Sequence, residues 1–472
     1  MVRPVGAFLV VVFVVMAARP PMGRERDRKV DLAIQHARLL DVRSGQILTD
    51  RTVLMAHGVI VAIAPTTSRA PMATHVIDAQ GRLVTPGFID VHLHVCNIFC
   101  DSTNASGQAP MRLAMETDSI AAYRRTFARA YLPYGVTAVR DVGSDERVLP
   151  MLLAWMQRSS DAPDFYPSGA QFVSPEPGHT SVPWQVALAD SAAAATKVQQ
   201  YYQLGIHNIK LYWRLREPEY RSAFAEARRL NMNVTTHVDQ QIMTIGQALD
   251  LGVRNFEHIH TFALSVMRPT EVDSLYKTMP GTLHITTGTI PGAFFLVVPE
   301  YWNHLGPDDP RVLDLIARFK ADSASLTPTL HVFGERLGLA YFEPPPFNAG
   351  ANTSGFTAEQ RQRSVAGYRI MASYVKRMYD AGVRLNVGTD TQEPGRSVLS
   401  EMLLLHDAGI PMIGVIQAAT LNSAESIGHG AEYGALETGK RADLILFDGD
   451  PLSEPQALLG GKVVIKDGVV WR

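Results

Sequence analysis

The sequence predicts an α/β protein, namely a (β/α)8 TIM barrel with a small composite β-sandwich domain built from both chain ends. Three observations lead to this prediction. Apolar strand-like runs alternate with amphipathic, helix-like stretches through the middle of the chain, as in parallel βαβ units. Ionisable side chains follow several of these runs. Short strand-like segments separated by turn residues occupy both chain ends.

The composition is that of an ordinary globular protein with a large core. The 472-residue chain is 46% hydrophobic and 19% charged, with 44 Lys and Arg against 46 Asp and Glu and a net charge of -2. Because no basic surplus marks a nucleic-acid surface, we expect a small-molecule substrate rather than a nucleic-acid partner. The sequence leaves open whether copies of the chain form a homo-oligomer.

Residues 1–29 are typical of a secretory signal peptide and leader. Arg3 precedes an apolar run from Gly6 to Ala18, and a segment rich in Arg and Pro follows. The run is shorter than the roughly 20 residues that span a bilayer. We therefore expect a secreted or periplasmic protein with no stable membrane association after signal cleavage. An uncleaved N-terminal anchor is the alternative.

The two chain ends are predicted to form one small domain. Residues 30–85 and 432–472 contain short strand-like runs broken by Gly-containing turns. Neither segment is long enough to bury a sheet face alone, so the two are expected to pair as the composite β-sandwich. Residues 86–431 are left for the barrel.

The barrel strands are predicted from apolar runs that precede polar side chains. A stretch with helical periodicity, residues 240–252, lies between two of these runs and fits a βαβ unit. The strand-like runs are residues 82–91, 135–144, 207–213, 232–239, 253–260, 324–333 and 383–390.

The first candidate site is a His-x-His pair at the end of the first barrel run. Residues two apart on a strand point to the same face, so His92 and His94 can offer two imidazoles to one cation. By itself the pair also fits two half-buried strand histidines without a metal.

Four further ionisable side chains lie near the ends of later runs, namely Lys210, His237, His258 and Asp390. The carboxyl ends of barrel strands converge on one face, where the active sites of this fold lie. We therefore expect these side chains to meet the histidine pair. Asp390, which follows Gly-Thr, could instead cap the next helix.

Several motifs together resemble those of the amidohydrolase superfamily, in the branch that contains imidazolonepropionases and Xaa-Pro and other dipeptidases. The resemblance covers most of residues 30–472. It rests on residues 86–94 (PGFIDVHLH), 135–143, 208–213, 234–258, 388–390 (GTD) and 418–452.

The resemblance implies one or two divalent metal ions at the barrel face. It assigns the ligands to His92, His94, His237, His258 and Asp390, with Lys210 as a carboxylated lysine. Zinc is the expected metal, with manganese or iron as alternatives.

The chemistry of the side chains fits this assignment. We expect His92, His94 and Asp390 to hold one ion, and His237 with His258 to hold the other. Because a lysine ammonium has no acceptor, Lys210 could bridge the ions only as an N6-carboxylated lysine. An ordinary strand lysine paired with a carboxylate is the alternative, and it would leave a mononuclear site.

The predicted function is a metal-dependent hydrolase that cleaves an amide-type C–N bond in a dipeptide or N-acyl amino acid. A metal-bound hydroxide would be the nucleophile, and Asp390 would pass its proton to the leaving amine. A cyclic amide hydrolase, acting on an imidazolone or ureide, is the first alternative. A non-catalytic metal-binding member of the family is the second.

Five other residues have weaker indications. His179, in a loop rich in Gly and Pro, is a candidate catalytic residue that contacts the substrate, or else an exposed loop histidine. His260 is expected beside the ligands or at a helix start. Tyr212 fits core packing better than a pocket role. Arg140 and Asp141 are expected to form an ion pair under the site.

The remaining indications concern two cysteines and a loop. Cys96 and Cys100 follow the histidine pair and could form a disulfide, provide a metal ligand or remain buried thiols. The segment around Gly350 is rich in Pro, Gly and Asn, and it is predicted to be a loop at the substrate face.

Overall fold

The computed structural model describes residues 30–67, 72–95, 117–176, 184–238, 242–278, 294–342, 357–391 and 394–471. The predicted signal peptide, His179, Cys96, Cys100 and the loop around Gly350 lie outside these ranges.

The strands in the N-terminal half are β1 (Val30–Asp41), β2 (Gln46–Ala56), β3 (Val59–Pro65), β4 (Ala73–Asp78), β5 (Leu83–Pro86), β6 (Phe88–Leu93), β7 (Val136–Asp141), β8 (Asp164–Pro167), β9 (Gln171–Val173), β10 (Gln185–Ala187) and β11 (Asn208–Leu211). The later strands are β12 (Asn233–Thr236), β13 (Asn255–Glu257), β14 (Ser325–Thr327), β15 (Arg384–Leu385), β16 (Leu444–Phe447), β17 (Lys462–Lys466) and β18 (Val469–Val470).

The first eight described α-helices are α1 (Thr117–Tyr131), α2 (Leu149–Trp155), α3 (Ser191–Gln203), α4 (Glu217–Arg229), α5 (Ile245–Leu251), α6 (Thr261–Val266), α7 (Pro269–Thr278) and α8 (Phe294–Leu305). The later helices are α9 (Pro310–Ala321), α10 (Leu330–Leu337), α11 (Ala358–Asp380), α12 (Pro394–Asp407), α13 (Met412–Gln417) and α14 (Ser423–Ser426).

Both chain ends contribute strands to one eight-stranded sheet. Its order is β18-β17-β16-β5-β1-β2-β3, and β4 pairs with β1. The two ends meet where β16 runs antiparallel to β5, with Leu444 opposite Pro86 and Leu446 opposite Val84. The β-sandwich and the domain boundaries at residues 30–85, 86–431 and 432–472 stay predictions.

The middle of the chain forms parallel sheets with helices between the strands, which confirms the predicted α/β class. One sheet has the order β6-β7-β8, and the other has the order β10-β9-β11-β12-β13-β14-β15. A backbone hydrogen bond connects the first sheet to the segment after β15, because the Val91 N–H donates to the Val387 carbonyl at 3.0 Å. The strands of these sheets are largely buried, as expected where helices cover both faces.

One predicted strand is shorter than expected. The run of residues 324–333 forms a strand only at Ser325–Thr327, and α10 begins at Leu330. Pro328 cannot donate a ladder hydrogen bond, and Thr329 has a left-handed backbone with a φ of 53°. The chain therefore turns at this point into a helix.

Helix starts follow local sequence rules. Thr244 and Gln247 form a reciprocal capping box at α5, and Thr357 and Gln360 form one at α11. Among the described residues, no helix has the length and apolar character needed to span a membrane.

A buried lysine links the eight-stranded sheet to the parallel strands. Lys466 on β17 is fully buried, and its Nζ lies 3.0 Å from Asp164 on β8, 2.8 Å from Asp467 and 3.4 Å from Asp443. Burial by itself would lower the pKa of Lys466, but the three carboxylates outweigh it and raise that pKa. The ammonium is therefore the charge that compensates three buried or nearly buried acids.

We expect Lys466→Met to lower the free energy of unfolding by about 3–5 kcal/mol, because it leaves buried carboxylates without their cation. The measurement is chemical or thermal unfolding followed by circular dichroism. As a matched control, Lys376→Met removes a lysine whose partner, Asp380, is exposed, and it should cost less than about 1 kcal/mol. Equal losses in the two variants would show that the Lys466 cluster does not hold the sheets together.

Candidate metal centre

The structure brings together six of the predicted site residues on one cavity of about 910 Å³. Each lies at or just after the carboxyl end of a parallel strand, and these ends form one face of the sheets. The six residues are His92, His94, Lys210, His237, His258 and Asp390. The seventh, His179, lies outside the described residues.

Asp390 faces three imidazoles. Its Oδ1 lies 3.3 Å from the Nε2 of His94 and 3.6 Å from the Nε2 of His92. Its Oδ2 lies 3.9 Å from the Nε2 of His258. Ligand atoms of His92, His258 and Asp390 all lie within 4.8 Å of one another, so these three groups could share one cation.

His258 lies between the two predicted ligand groups. Its ring centroid is 4.7 Å from that of His92 and 4.7 Å from that of His237. The sequence prediction assigns His258 to a group with His237 alone. The geometry therefore shows a continuous row of imidazoles rather than two separate pairs.

The protein holds the Nδ1 atoms of His92, His94 and His258. His94 Nδ1 is 2.9 Å from the carbonyl of Gly143, and His258 Nδ1 is 2.8 Å from the Oγ1 of Thr329. An Nδ1–H donated to such an acceptor leaves Nε2 free with its lone pair toward Asp390. Metal-binding histidines are commonly oriented in this way.

His92 is held by a fully buried carboxylate that the sequence analysis missed. His92 Nδ1 lies 2.7 Å from Glu257 Oε2, and Glu257 Oε1 accepts from Arg140 at 2.9 Å and from the Thr235 hydroxyl. Burial by itself would raise the pKa of Glu257, but His92, Lys210 and Arg140 outweigh it and hold that pKa well below its usual range. Glu257 is therefore an anion under the site. The available signal was its position beside His258 at the end of β13.

The predicted Arg140–Asp141 ion pair is wrong. Arg140 pairs with Glu257, whereas Asp141 accepts from the Val95 amide and the Ser144 hydroxyl, each at 2.9 Å. Neighbouring residues on a strand point to opposite faces, so Arg140 and Asp141 cannot meet across β7.

Burial keeps most of the imidazoles neutral. Burial lowers the pKa of His92, and it lowers the pKa of His237 and His258 well below the ordinary value. Burial acts in the same direction on His94, but the hydrogen bond and charge of Asp390 outweigh it and raise that pKa. Neutral imidazole is the form that binds a metal.

Lys210 is buried at the floor of the cavity. Within the described residues its Nζ has no hydrogen-bond partner. Burial lowers the pKa of Lys210 to about 8, although Glu257 and Asp390 act in the opposite direction. The Nδ1 of His237 is likewise buried without a partner among these residues. Imidazole nitrogens, a carboxylate and such unpartnered atoms fit a divalent metal centre.

The backbone around Asp390 is tightly constrained. Asp90 accepts from the hydroxyl of Thr389 at 2.8 Å and from the amide of His92 at 3.1 Å. Gly388 is required because a Cβ there would lie 2.5 Å from the Cβ of His92. Asp390 has a left-handed φ of 52°, so the chain turns at this residue. These contacts fix Asp390 against the histidine pair.

His260 and Tyr212 line the same cavity. His260 immediately precedes α6, and its ring is stacked on that of His258 at 4.9 Å. Both expectations for His260 are therefore met. Tyr212 lies on the cavity wall with its ring 5.1 Å from His237, so the preference for core packing is wrong.

The chain is partly similar to curated enzymes, among them an adenine deaminase and an imidazolonepropionase. The chain is 34% identical over 111 residues to an adenine deaminase of Listeria innocua, which is 24% of this chain and 14% of that protein. It is 33% identical over 116 residues to an imidazolonepropionase of Geobacillus kaustophilus, which is 21% of this chain and 27% of that protein. The chain thus matches less than a third of either relative.

The fold is similar to that of solved structures along nearly the whole chain. A Xaa-Pro dipeptidase with methionine bound in its active site aligns with a TM-score of 0.64 and 19% identity, covering 93% of this chain and 99% of that one. At this identity the similarity concerns the fold. The sequence profile of the amidohydrolase family matches residues 83–287 and 357–470, more than half of the chain. The chain therefore belongs to the amidohydrolase family.

Proposed function

We propose that this protein is a metal-dependent hydrolase that cleaves an amide-type C–N bond of a small molecule, either a dipeptide or an N-acyl amino acid. The observation that carries the proposal is the row of buried imidazoles that faces Asp390 at the floor of a 910 Å³ cavity. Membership of the amidohydrolase family supports it. The fold similarity to a Xaa-Pro dipeptidase favours the dipeptide class.

A cyclic amide hydrolase is the second candidate. The 33% identity to an imidazolonepropionase over 116 residues favours it. A non-catalytic role is the third. It is disfavoured because every predicted metal ligand is present and lines the cavity.

The proposed cofactor is a pair of divalent metal ions, with zinc expected and manganese or iron as alternatives. His92, His94, His237, His258 and Asp390 would hold them. When bound, such ions supply electrophilic activation of a water molecule and of the substrate carbonyl.

Asp390 is the proposed proton carrier. Burial by itself would raise its pKa, but His92 and His94 outweigh it and lower that pKa, so the carboxylate is ionised at neutral pH. It accepts a proton from the attacking water as the oxygen bonds to the carbonyl carbon. It then delivers that proton to the leaving nitrogen as the C–N bond breaks. His179 stays a predicted substrate contact.

Lys210 is proposed to carry an N6-carboxyl group. Its buried Nζ has no partner among the described residues, and an ammonium there would face the same space as the metal ions. A carboxylated lysine instead offers two anionic oxygens as ligands. A lowered pKa favours this group, because carbon dioxide adds to the neutral amine.

We further propose that the parallel strands close into the (β/α)8 TIM barrel, with the composite β-sandwich beside it. The hydrogen bond from Val91 to Val387 supports closure between β6 and the segment after β15. A secreted or periplasmic location, following removal of residues 1–29, is also proposed from the N-terminal sequence.

The function is tested by a turnover screen of purified protein loaded with zinc or manganese. The panel contains N-acyl amino acids, dipeptides including Xaa-Pro, and cyclic ureides, with carboxylate and phosphate esters as controls. Hydrolysis of linear amides supports the proposal, and hydrolysis of ureides alone supports the second candidate. Turnover of esters alone would exclude both.

Asp390→Asn is expected to reduce kcat by roughly 100-fold or more, because the amide cannot accept a proton. Its metal content should stay within about a factor of two, since the amide oxygen can still approach a cation. Metal analysis and steady-state kinetics measure both effects. Asp380→Asn, at an exposed site, is the control. If Asp390→Asn loses metal and regains full activity on reconstitution, Asp390 is a ligand only.

Glu257→Gln is expected to weaken zinc affinity by about 10- to 100-fold, the usual effect of losing a group that orients a metal ligand. The neutral amide of Gln cannot compensate the charge of Arg140, and it accepts a weaker hydrogen bond from His92 than a carboxylate does. Zinc titration against a competing chelator measures the change. Glu217→Gln, in an exposed pair with Arg221, should leave the affinity unchanged. Unaltered zinc affinity in Glu257→Gln would show that Glu257 does not orient His92.

Reconstitution of metal-free protein with zinc should be slow without carbon dioxide and faster with bicarbonate. Because burial lowers the pKa of Lys210 to about 8, recovery at fixed dissolved carbon dioxide should accelerate as the pH rises from 7 to 9. Lys210→Ala should lose most activity and regain part of it with short carboxylic acids. Recovery that is independent of carbon dioxide and pH would contradict the carboxylated lysine.

A further inference from the structure

The walls of the cavity differ sharply from its floor. The floor carries the imidazoles, Lys210 and Asp390, whereas the walls above it are mostly aromatic and branched apolar side chains. These wall residues include Trp184, Trp213, Phe294, Phe295, Tyr301 and Val332. Apolar walls with a few polar groups are typical of sites that enclose an apolar ligand.

The apolar wall begins next to the proposed metal ligands. The His260 ring, stacked on His258, lies 5.1 Å from the Phe294 ring and 5.5 Å from the Phe333 ring. Phe294 and Phe295 are 5.4 Å apart, and each lies within 5.4 Å of Phe333. This aromatic cluster would therefore contact the part of a substrate that adjoins the scissile bond.

Phe294 presents an exposed apolar surface to the cavity. It is 38% exposed, although Phe333 behind it is only 1% exposed. A large ring that is anchored on one face and open on the other gains free energy when an apolar group covers it. Phe294 is thus well placed to stabilise the binding of an aromatic or branched substituent.

Among the described residues, no Lys or Arg side chain lines the wall itself, although Arg214 and Arg336 lie against the rings of Trp213 and Phe295. The charged lining residues in the described part of the cavity are Lys210, Asp390 and Glu176, and the first two belong to the floor. Glu176 lines the cavity, and its carboxylate accepts a hydrogen bond from Arg214 at 3.1 Å. Within the described residues, an acidic side group packed against this wall would therefore meet no cation that lines the cavity.

We propose that the substrate carries a bulky, uncharged aromatic or branched apolar group next to the scissile amide, and that Phe294 is a specificity-determining residue for it. This inference rests on the proposed function and names its substrate class. The group packs on Phe294 and Phe295, while the amide carbonyl lies at the imidazoles.

The test uses two matched series of amides and a binding assay. In one series N-acetyl-alanine is compared with N-acetyl-phenylalanine and N-acetyl-glutamate. In the other, N-acetyl-alanine is compared with N-phenylacetyl-alanine and N-succinyl-alanine. We expect kcat/KM for one aromatic member to exceed that for N-acetyl-alanine by about 100-fold or more, within the range of apolar-pocket discrimination. The acidic members should gain nothing.

Phe294→Ala should reduce this aromatic preference by about tenfold or more, and Phe294→Leu should retain part of it. Tyr202→Ala is the control, because Tyr202 is similarly exposed at 39% but does not line the cavity. It should leave the preference unchanged. Equal kcat/KM for all members, a preference for the acidic ones, or no effect of Phe294→Ala would overturn the inference.

Binding to metal-free protein separates this inference from the proposed function. Naphthalene-1-acetamide, a neutral aromatic amide, should quench the fluorescence of Trp184 and Trp213 and bind about tenfold or more tightly than acetamide. Phe294→Ala should weaken that binding. If no amide is hydrolysed but this binding pattern holds, the proposed function fails and the apolar preference stands. If amides are hydrolysed without this pattern, the apolar preference fails.

Discussion

The site depends on one buried interaction, the contact of the Glu257 carboxylate with His92 and Arg140. Glu257 is fully buried, and its two oxygens are shared between an imidazole on β6 and a guanidinium on β7. An isolated carboxylate at such a position would be strongly unfavourable, so Arg140 is required for the anion to exist there. The same contact orients His92 with its Nε2 toward Asp390 and connects three strands beneath the cavity.

The burial of the site also affects the protonation of the predicted metal ligands. Low solvent access lowers the pKa of His92, His237 and His258, so each presents a lone pair at neutral pH. Asp390 stays ionised because the imidazoles beside it oppose the effect of burial. A set of neutral nitrogens around one carboxylate is the arrangement that a divalent cation completes.

Charge is distributed differently in the rest of the molecule. Lys466 compensates three acids where the eight-stranded sheet meets β8, far in sequence from the cavity residues. The cavity floor carries Lys210 and Asp390, and most of the wall above it is aromatic or branched apolar. His260 lies between the floor and the wall. Buried charges thus hold strands together at Lys466 and line the cavity floor at Lys210, whereas the cavity wall is mostly apolar.

The sequence by itself determined the α/β class and the positions of the ionisable residues at strand ends. The reason is local: an apolar run identifies a buried strand, and a period of two places His92 and His94 on one face. The same rule could have excluded an Arg140–Asp141 pair. Only the tertiary structure decided that Glu257 holds His92, 165 residues away, and that Thr329 holds His258. These partners, like the aromatic wall at Phe294, come from distant segments. Local periodicity fixes the face on which a side chain lies, but the packing of the whole chain selects what it meets there.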